Sequence, residues 1–111
     1  MLKFICKNER KEKSLKALSH KEVEEKLKPL TGWKLENGKL NKEFQFHNFQ
    51  EAFSKMTQIA FVVDKMDYHP EWSNVYYRLE ISLITHDAGP GLTEKDFSLA
   101  LEIECIVSTK S

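Results

Sequence analysis

The sequence is poor in the residues that keep a chain loose, with only 4 glycines and 3 prolines among 111 residues. Low-complexity disorder is thereby excluded for most of its length, and a 41% hydrophobic content supplies apolar surface to bury. Cysteine is nearly absent. Cys6 and Cys105 stand in the first and last stretches without companions at zinc-ligand spacing, so both read as free thiols and no metal site is indicated. An excess of one charge is missing too. Seventeen Lys and Arg balance seventeen Asp and Glu, which removes the positive field that draws proteins to phosphate backbones and argues against nucleic acid as a direct partner. No apolar run approaches the roughly 20 residues that span a bilayer, and Met1-Leu2-Lys3-Phe4-Ile5 is too brief for a signal-peptide core. The expectation is a protein of the cytoplasm, or of an organelle reached without such a signal, with no membrane partner. A Gly-rich phosphate loop and a Ser or Cys nucleophile motif are also lacking.

What is present fits a single domain over residues 1–111, since domains commonly run to roughly 100–150 residues. Lys7, Arg10, Lys11, Lys13, Lys16 and Lys21 mark a basic start, and residues 1–17 read as a flexible or extended leader. Ser19 with Glu22 three positions on forms a capping box, flanked by Leu18 and Val23 as a hydrophobic staple. A short helix from about Ser19 to Lys28 follows, ended by Pro29 and Gly32. Asn37-Gly38 then separates Trp33-Lys34-Leu35 from a run in which Leu40, Phe44 and Phe46 share a face. Because Asn-Gly accepts the positive φ angles of a tight turn, this predicts an antiparallel hairpin.

Asn48 and Glu51 open the next helix, in which Phe49, Ala52, Phe53, Met56, Ile59, Ala60 and Val63 recur at helical spacing and should cover the sheet. Further on, Val75, Tyr77, Leu79, Ile81 and Leu83 alternate with Tyr76, Arg78, Glu80, Ser82 and Ile84, which predicts one long half-buried strand with Tyr76 and His86 on the same side. Whether a further strand lies near Trp72 is left open by the pattern. Ala88-Gly89-Pro90-Gly91 reads as a loop, and Thr93 with Asp96 caps a last helix reaching about Val107. Phe97, Leu99, Ala100, Leu101, Ile103, Cys105, Ile106 and Val107 fill more than one stripe of that helix, which suggests a second buried surface in an oligomer. The fold class expected is α+β, an antiparallel sheet with helices packed on one face.

His20 and His47 fall where a solvated or capping role suffices, whereas His69 and His86 each sit where a regular element ends and could converge on one cleft. Asp64, Tyr68-His69-Pro70, Tyr76, His86 and Asp96, with three, five, nine and nine residues between them, form a pattern that resembles the signature of the pterin-4a-carbinolamine dehydratase family. His69-Pro70-Glu71-Trp72-Ser73-Asn74-Val75-Tyr76, Thr85-His86-Asp87 and Gly91-Leu92-Thr93 are similar to that family's most recognisable segments. Two departures stand out. Tyr68 takes the place of the first of two consecutive histidines found in most of the family, and Pro90 between two glycines looks like a one-residue insertion.

The resemblance implies dehydration of a 4a-hydroxytetrahydropterin to quinonoid dihydropterin and water, in support of tetrahydrobiopterin recycling, with no cofactor and no metal. On that reading His69 is the principal acid–base residue, His86 assists or orients the hydroxyl, and Asp96 holds or polarises a histidine. Asp96 reads equally well as an ordinary residue of a capped first turn. Tyr68, Pro70, Trp72, Tyr76 and Asp64 are candidates for substrate binding. Trp72 and Tyr76 read either as borders of the flat pterin ring or as core, and Asp64 either as a supporting carboxylate or as a solvated helix residue. The resemblance also implies a homodimer or homotetramer. The alternative function is a non-enzymatic interaction module, since some members of the family are dimerisation cofactors of a transcription factor and bind it as a protein partner.

Overall fold

The computed structural model describes residues 17–85 and 92–108. All of the leader except Ala17 lies outside them, as do Cys6, His86 and the Gly89-Pro90-Gly91 loop. Three helices and four strands follow in the order α1 (His20–Leu27), β1 (Lys34–Glu36), β2 (Lys39–Gln45), α2 (Phe49–Met66), β3 (Glu71–Val75), β4 (Arg78–Leu83) and α3 (Glu94–Ser108). The sheet is antiparallel throughout, in the order β1-β2-β4-β3. Helices cover one of its faces, as the α+β reading requires.

Local chemistry accounts for most element ends. Ser19 accepts from the Glu22 N–H at 3.2 Å while Glu22 accepts from the Ser19 N–H at 2.8 Å, completing the capping box of α1. Asn37 and Gly38 take φ values of 56° and 78°, the left-handed pair that lets β1 and β2 turn tightly. Asn48 accepts from Glu51 N–H at 2.9 Å at the start of α2. Leu40 and Phe44 of β2 meet Leu79, Ile81 and Leu83 of β4 beneath Ile59 of α2 and Phe97, Leu99 and Ile103 of α3. These are the core.

The expected long strand is two strands. Val75 pairs with Arg78 across a turn at Tyr76 and Tyr77, so β3 and β4 form a second hairpin and the alternation through Tyr76 does not carry over. Tyr76 has φ of 58°, and the Asn74 side chain donates to the carbonyls of Tyr76 at 3.1 Å and Arg78 at 2.8 Å, bracing the turn. An unbroken apolar alternation hides such a turn because it lacks the usual Gly or Asn at the positive φ.

Two other expectations, the inward stripe of α2 and the free thiol at Cys105, are corrected. Phe49 and Phe53 do not cover the sheet, being 45% and 55% exposed; Lys55 and Ile59 lie on the inward side of α2 instead. The Lys55 ammonium donates to the carbonyl of Ile106 at 3.0 Å near the end of α3, a position that favours cations. Much of the apolar width of α3 is used within the domain, where Phe97, Leu99, Ala100 and Ile103 are buried and Ile106 and Val107 pack against the core, while Leu101 remains 49% exposed. Cys105 is disulfide-bonded and not a free thiol.

One polar cluster lies on the helical side of the sheet. Glu104 of α3 accepts from the Trp33 indole at 2.8 Å and from Lys42 at 2.5 Å, and Lys42 also donates to the Thr31 carbonyl at 3.0 Å. Removing the carboxylate leaves the indole N–H without its acceptor and the Lys42 ammonium with the Thr31 carbonyl but no counter-charge. Glu104→Ala should therefore lower stability by about 1–3 kcal/mol, read as a reduced urea midpoint with an unchanged slope.

Candidate functional site

The site is built around the end of α2. Asp67 terminates that helix in the left-handed conformation, with φ of 58°, which a short polar side chain tolerates better than most. Its N–H returns to the Asp64 carbonyl at 3.1 Å and the Tyr68 N–H to the Val63 carbonyl at 2.9 Å. This reversal sends two neighbouring side chains in different directions. Tyr68 enters the core at 4% exposure, whereas the His69 side chain remains 88% exposed, its Nε2 3.9 Å from Asp67 Oδ1. Pro70 leads from His69 into β3.

Tyr68 ends on a carboxylate. Its hydroxyl donates to Oδ1 of Asp96, which is wholly buried in the first turn of α3. The Thr85 hydroxyl, just past β4, donates to the same oxygen at 2.8 Å. Oδ2 accepts from the Thr93 N–H at 2.8 Å, the reciprocal half of the helix cap, with the Thr93 hydroxyl farther off at 3.4 Å. Thr93 Oγ1 in turn accepts from the Lys95 N–H at 3.2 Å and lies 3.1 Å from Thr85 Oγ1. Since the Thr85 proton points to Asp96, Thr93 supplies the hydrogen between the two threonines. Asp96 is thus satisfied by neutral donors and by the N-terminal end of a helix dipole, which suits a buried carboxylate.

Burial, and then the Asp96 carboxylate, push the Tyr68 phenol well above its ordinary range; contacts with the Ile84 backbone and Thr85 offset this only in part. Tyr68 is therefore a fixed proton donor to Asp96. Lys95 Nζ lies 5.9 Å from the centre of its ring.

The structure brings Tyr68 and Asp96 together with Thr85 and Thr93, two residues to which the motif assigned no role. Thr93 had been legible as a helix cap, whereas nothing in the sequence marked Thr85 beyond its place before His86. His69 lies beside this cluster. Asp64 is exposed on the last turn of α2, and Trp72 packs against the core. Tyr76 is 63% exposed at the far tip of the β3–β4 hairpin, with Tyr77 beside it at 5.2 Å, and so is separated from Tyr68 by the length of β3. His86 lies outside the described residues. Among the described residues no three His, Cys, Asp or Glu side chains gather as metal ligands, and no helix is long and apolar enough to cross a membrane.

Comparison with known proteins extends the motif to the whole fold. A family model described as "Pterin 4 alpha carbinolamine dehydratase" matches residues 16–106. A protein of Christiangramia forsetii, provisionally named a pterin-4-alpha-carbinolamine dehydratase, is 51% identical over 92 residues, covering 83% of this chain and 94% of its own. A similarly named protein of Solibacter usitatus is 45% identical over 91 residues, covering 82% and 95%. The crystal structure of a transcriptional coactivator/pterin dehydratase from Brucella melitensis superposes with a TM-score of 0.78 at 36% identity, covering 83% of this chain and 99% of that one.

The Tyr68–Asp96 bond has a measurable signature. A folded-state phenol pKa raised above the unfolded value, about 10, contributes stability that is fully present below that pH and declines above it, by about 1.4 kcal/mol per pH unit. Tyr68→Phe should cost about 1.5–3 kcal/mol at neutral pH. It should also flatten the loss of stability between roughly pH 10 and 11 relative to wild type, as measured by urea unfolding at each pH.

Proposed function

Because the chain belongs to the pterin-4a-carbinolamine dehydratase family, we propose that it removes water from a 4a-hydroxytetrahydropterin to give quinonoid dihydropterin, with His69 as the principal acid–base residue. The observation that carries the reading is the pairing of an exposed imidazole at His69 with a buried, fully bonded neighbour at Tyr68, inside a family match that covers residues 16–106. Hydroxide leaves poorly unless protonated, and the new double bond requires loss of a proton from the adjacent ring nitrogen. Imidazole, with an unperturbed pKa of about 6.5, can donate or accept near neutrality. His86 is assigned the assisting role by the family pattern.

The substitution at Tyr68 fits this division of labour. A buried phenol on Asp96 supplies no acid–base chemistry to the substrate, so the work falls on His69 and His86. Asp96 supports Tyr68 in place of a histidine. Pro70, next to the exposed His69, and Asp64, exposed on the last turn of α2, remain substrate-binding candidates, while Trp72 packs against the core and Tyr76 stands at the hairpin tip within one copy of the chain.

The homo-oligomer belongs to the same reading. The exposed apolar side chains available for it on the helices are Phe49, Phe53 and Phe61 of α2 together with Leu101 of α3. A light-scattering mass of two or four chains, falling toward one in Phe53→Ser/Phe61→Ser, is the expected result. A second reading, a protein-interaction module, is favoured by the coactivator name borne by the Brucella melitensis protein.

Turnover of synthetic 4a-hydroxytetrahydropterin separates the two. Wild type should accelerate dehydration, and His69→Ala should lose about 10²–10⁴-fold in kcat with an unchanged circular dichroism spectrum. A folded but inactive wild type would favour the interaction module.

A further inference from the structure

Thr85 takes no part in the chemistry above, yet its hydroxyl is among the most enclosed polar groups of the described chain. The residue is 6% exposed, donates to Asp96 Oδ1 at 2.8 Å and is linked to Thr93 at 3.1 Å. We propose that Thr85 is a positioning residue, which through Asp96 fixes Tyr68 and with it the stretch of backbone that carries His69.

The argument rests on which segments share one carboxylate. Oδ1 accepts from Tyr68, at the end of α2, and from Thr85, at the end of β4, while Oδ2 is tied to the start of α3. Three elements therefore meet on a group that is fully buried, and none can shift without leaving a buried charge short of a donor. Tyr68 passes that constraint to His69. The peptide between them is planar, and Pro70 holds its own φ and confines His69 to extended conformations. Anchored by Tyr68 on one side and by Pro70 and β3 on the other, the His69 backbone has little freedom, and its imidazole is aimed by side-chain rotation alone.

A purely structural threonine would contribute stability and nothing else. Positioning predicts more, because displacing a catalytic group by about 1 Å can cost on the order of 10²-fold in rate. The test compares Thr85→Val, which keeps shape but removes the donor, with Thr85→Ser, which keeps the donor. On folded protein well below its melting temperature, T85V should lower kcat by roughly 10- to 100-fold with KM nearly unchanged, and T85S should remain near wild type. T85V added to Tyr68→Phe should lower kcat little further, since both act through one oxygen.

The kinetic arm rests on the dehydratase reading, so the His69 Hε1 resonance is followed by NMR in the same samples. It should move in T85V and return in T85S, whether or not the wild type turns over pterin. A wild type without turnover would overturn the dehydratase reading while leaving the NMR result to decide the role of Thr85. An unmoved His69 resonance in T85V, a T85S variant as impaired as T85V, or an active T85V whose only defect is a lower melting temperature would overturn the proposal. If T85V does not fold, Thr85→Ala, which leaves room for a water, is read by the same outcomes.

Discussion

A carboxylate with no access to water must be given donors, and the demand of Asp96 for them organises one pole of this molecule. Tyr68, Thr85 and the Thr93 N–H come from three different elements, and each is buried where it meets the charge. An apolar core would join the same elements, but without direction. Hydrogen bonds to a single carboxylate specify angle as well as proximity, and this is what separates a site from a mere contact between layers. The dependence runs both ways: α3 begins where it does because Asp96 also closes its cap.

The exchange of histidine for tyrosine is intelligible in these terms. A phenol reaches further than an imidazole and has a single proton to give, so in a dry pocket facing a carboxylate it settles into one hydrogen-bonded state. An imidazole at that place would carry a second ring nitrogen requiring a partner of its own. The neutral donor also avoids placing a buried cation beside Asp96. On the proposed reading, acid–base chemistry then falls to the exposed imidazole of the next residue, and the dehydratase family's two adjacent positions would divide into one anchor and one reactive group.

Much of this was legible beforehand wherever local chemistry determines the outcome. The capping box at Ser19, the N-cap at Asn48, the Asn37-Gly38 turn and the helical period of α2 each involve residues within four positions of one another, and the observed elements follow them. Legibility failed where the deciding partner was remote or the usual marker missing. The turn at Tyr76 lacks a glycine, Lys55 is carried inward by the end of α3, and Phe49 and Phe53 match the apolar period while lying beyond the edge of what α3 and the sheet cover. In the site, it was the family resemblance that grouped His69 with Asp96. The sequence could not show that Asp96 bonds Tyr68 and Thr85, because Thr85 acquires its meaning only when β4 delivers it to the start of α3.

The strand order has a consequence for how the chain reaches this state. The β1–β2 and β3–β4 hairpins are local, but the central pairing of β2 with β4 joins Leu40 to Leu83 and Gln45 to Arg78 across the whole of α2. Closing that long loop costs entropy before any contact rewards it, so the encounter of the two hairpins is the slow, non-local event and α2 can form ahead of it. The donors of Asp96 stand at the ends of α2 and β4, which places their assembly after that encounter. Thr85 and Tyr68 thus belong to the late, native side of the folding barrier, where interactions slow the unfolding of a chain more than they hasten its folding.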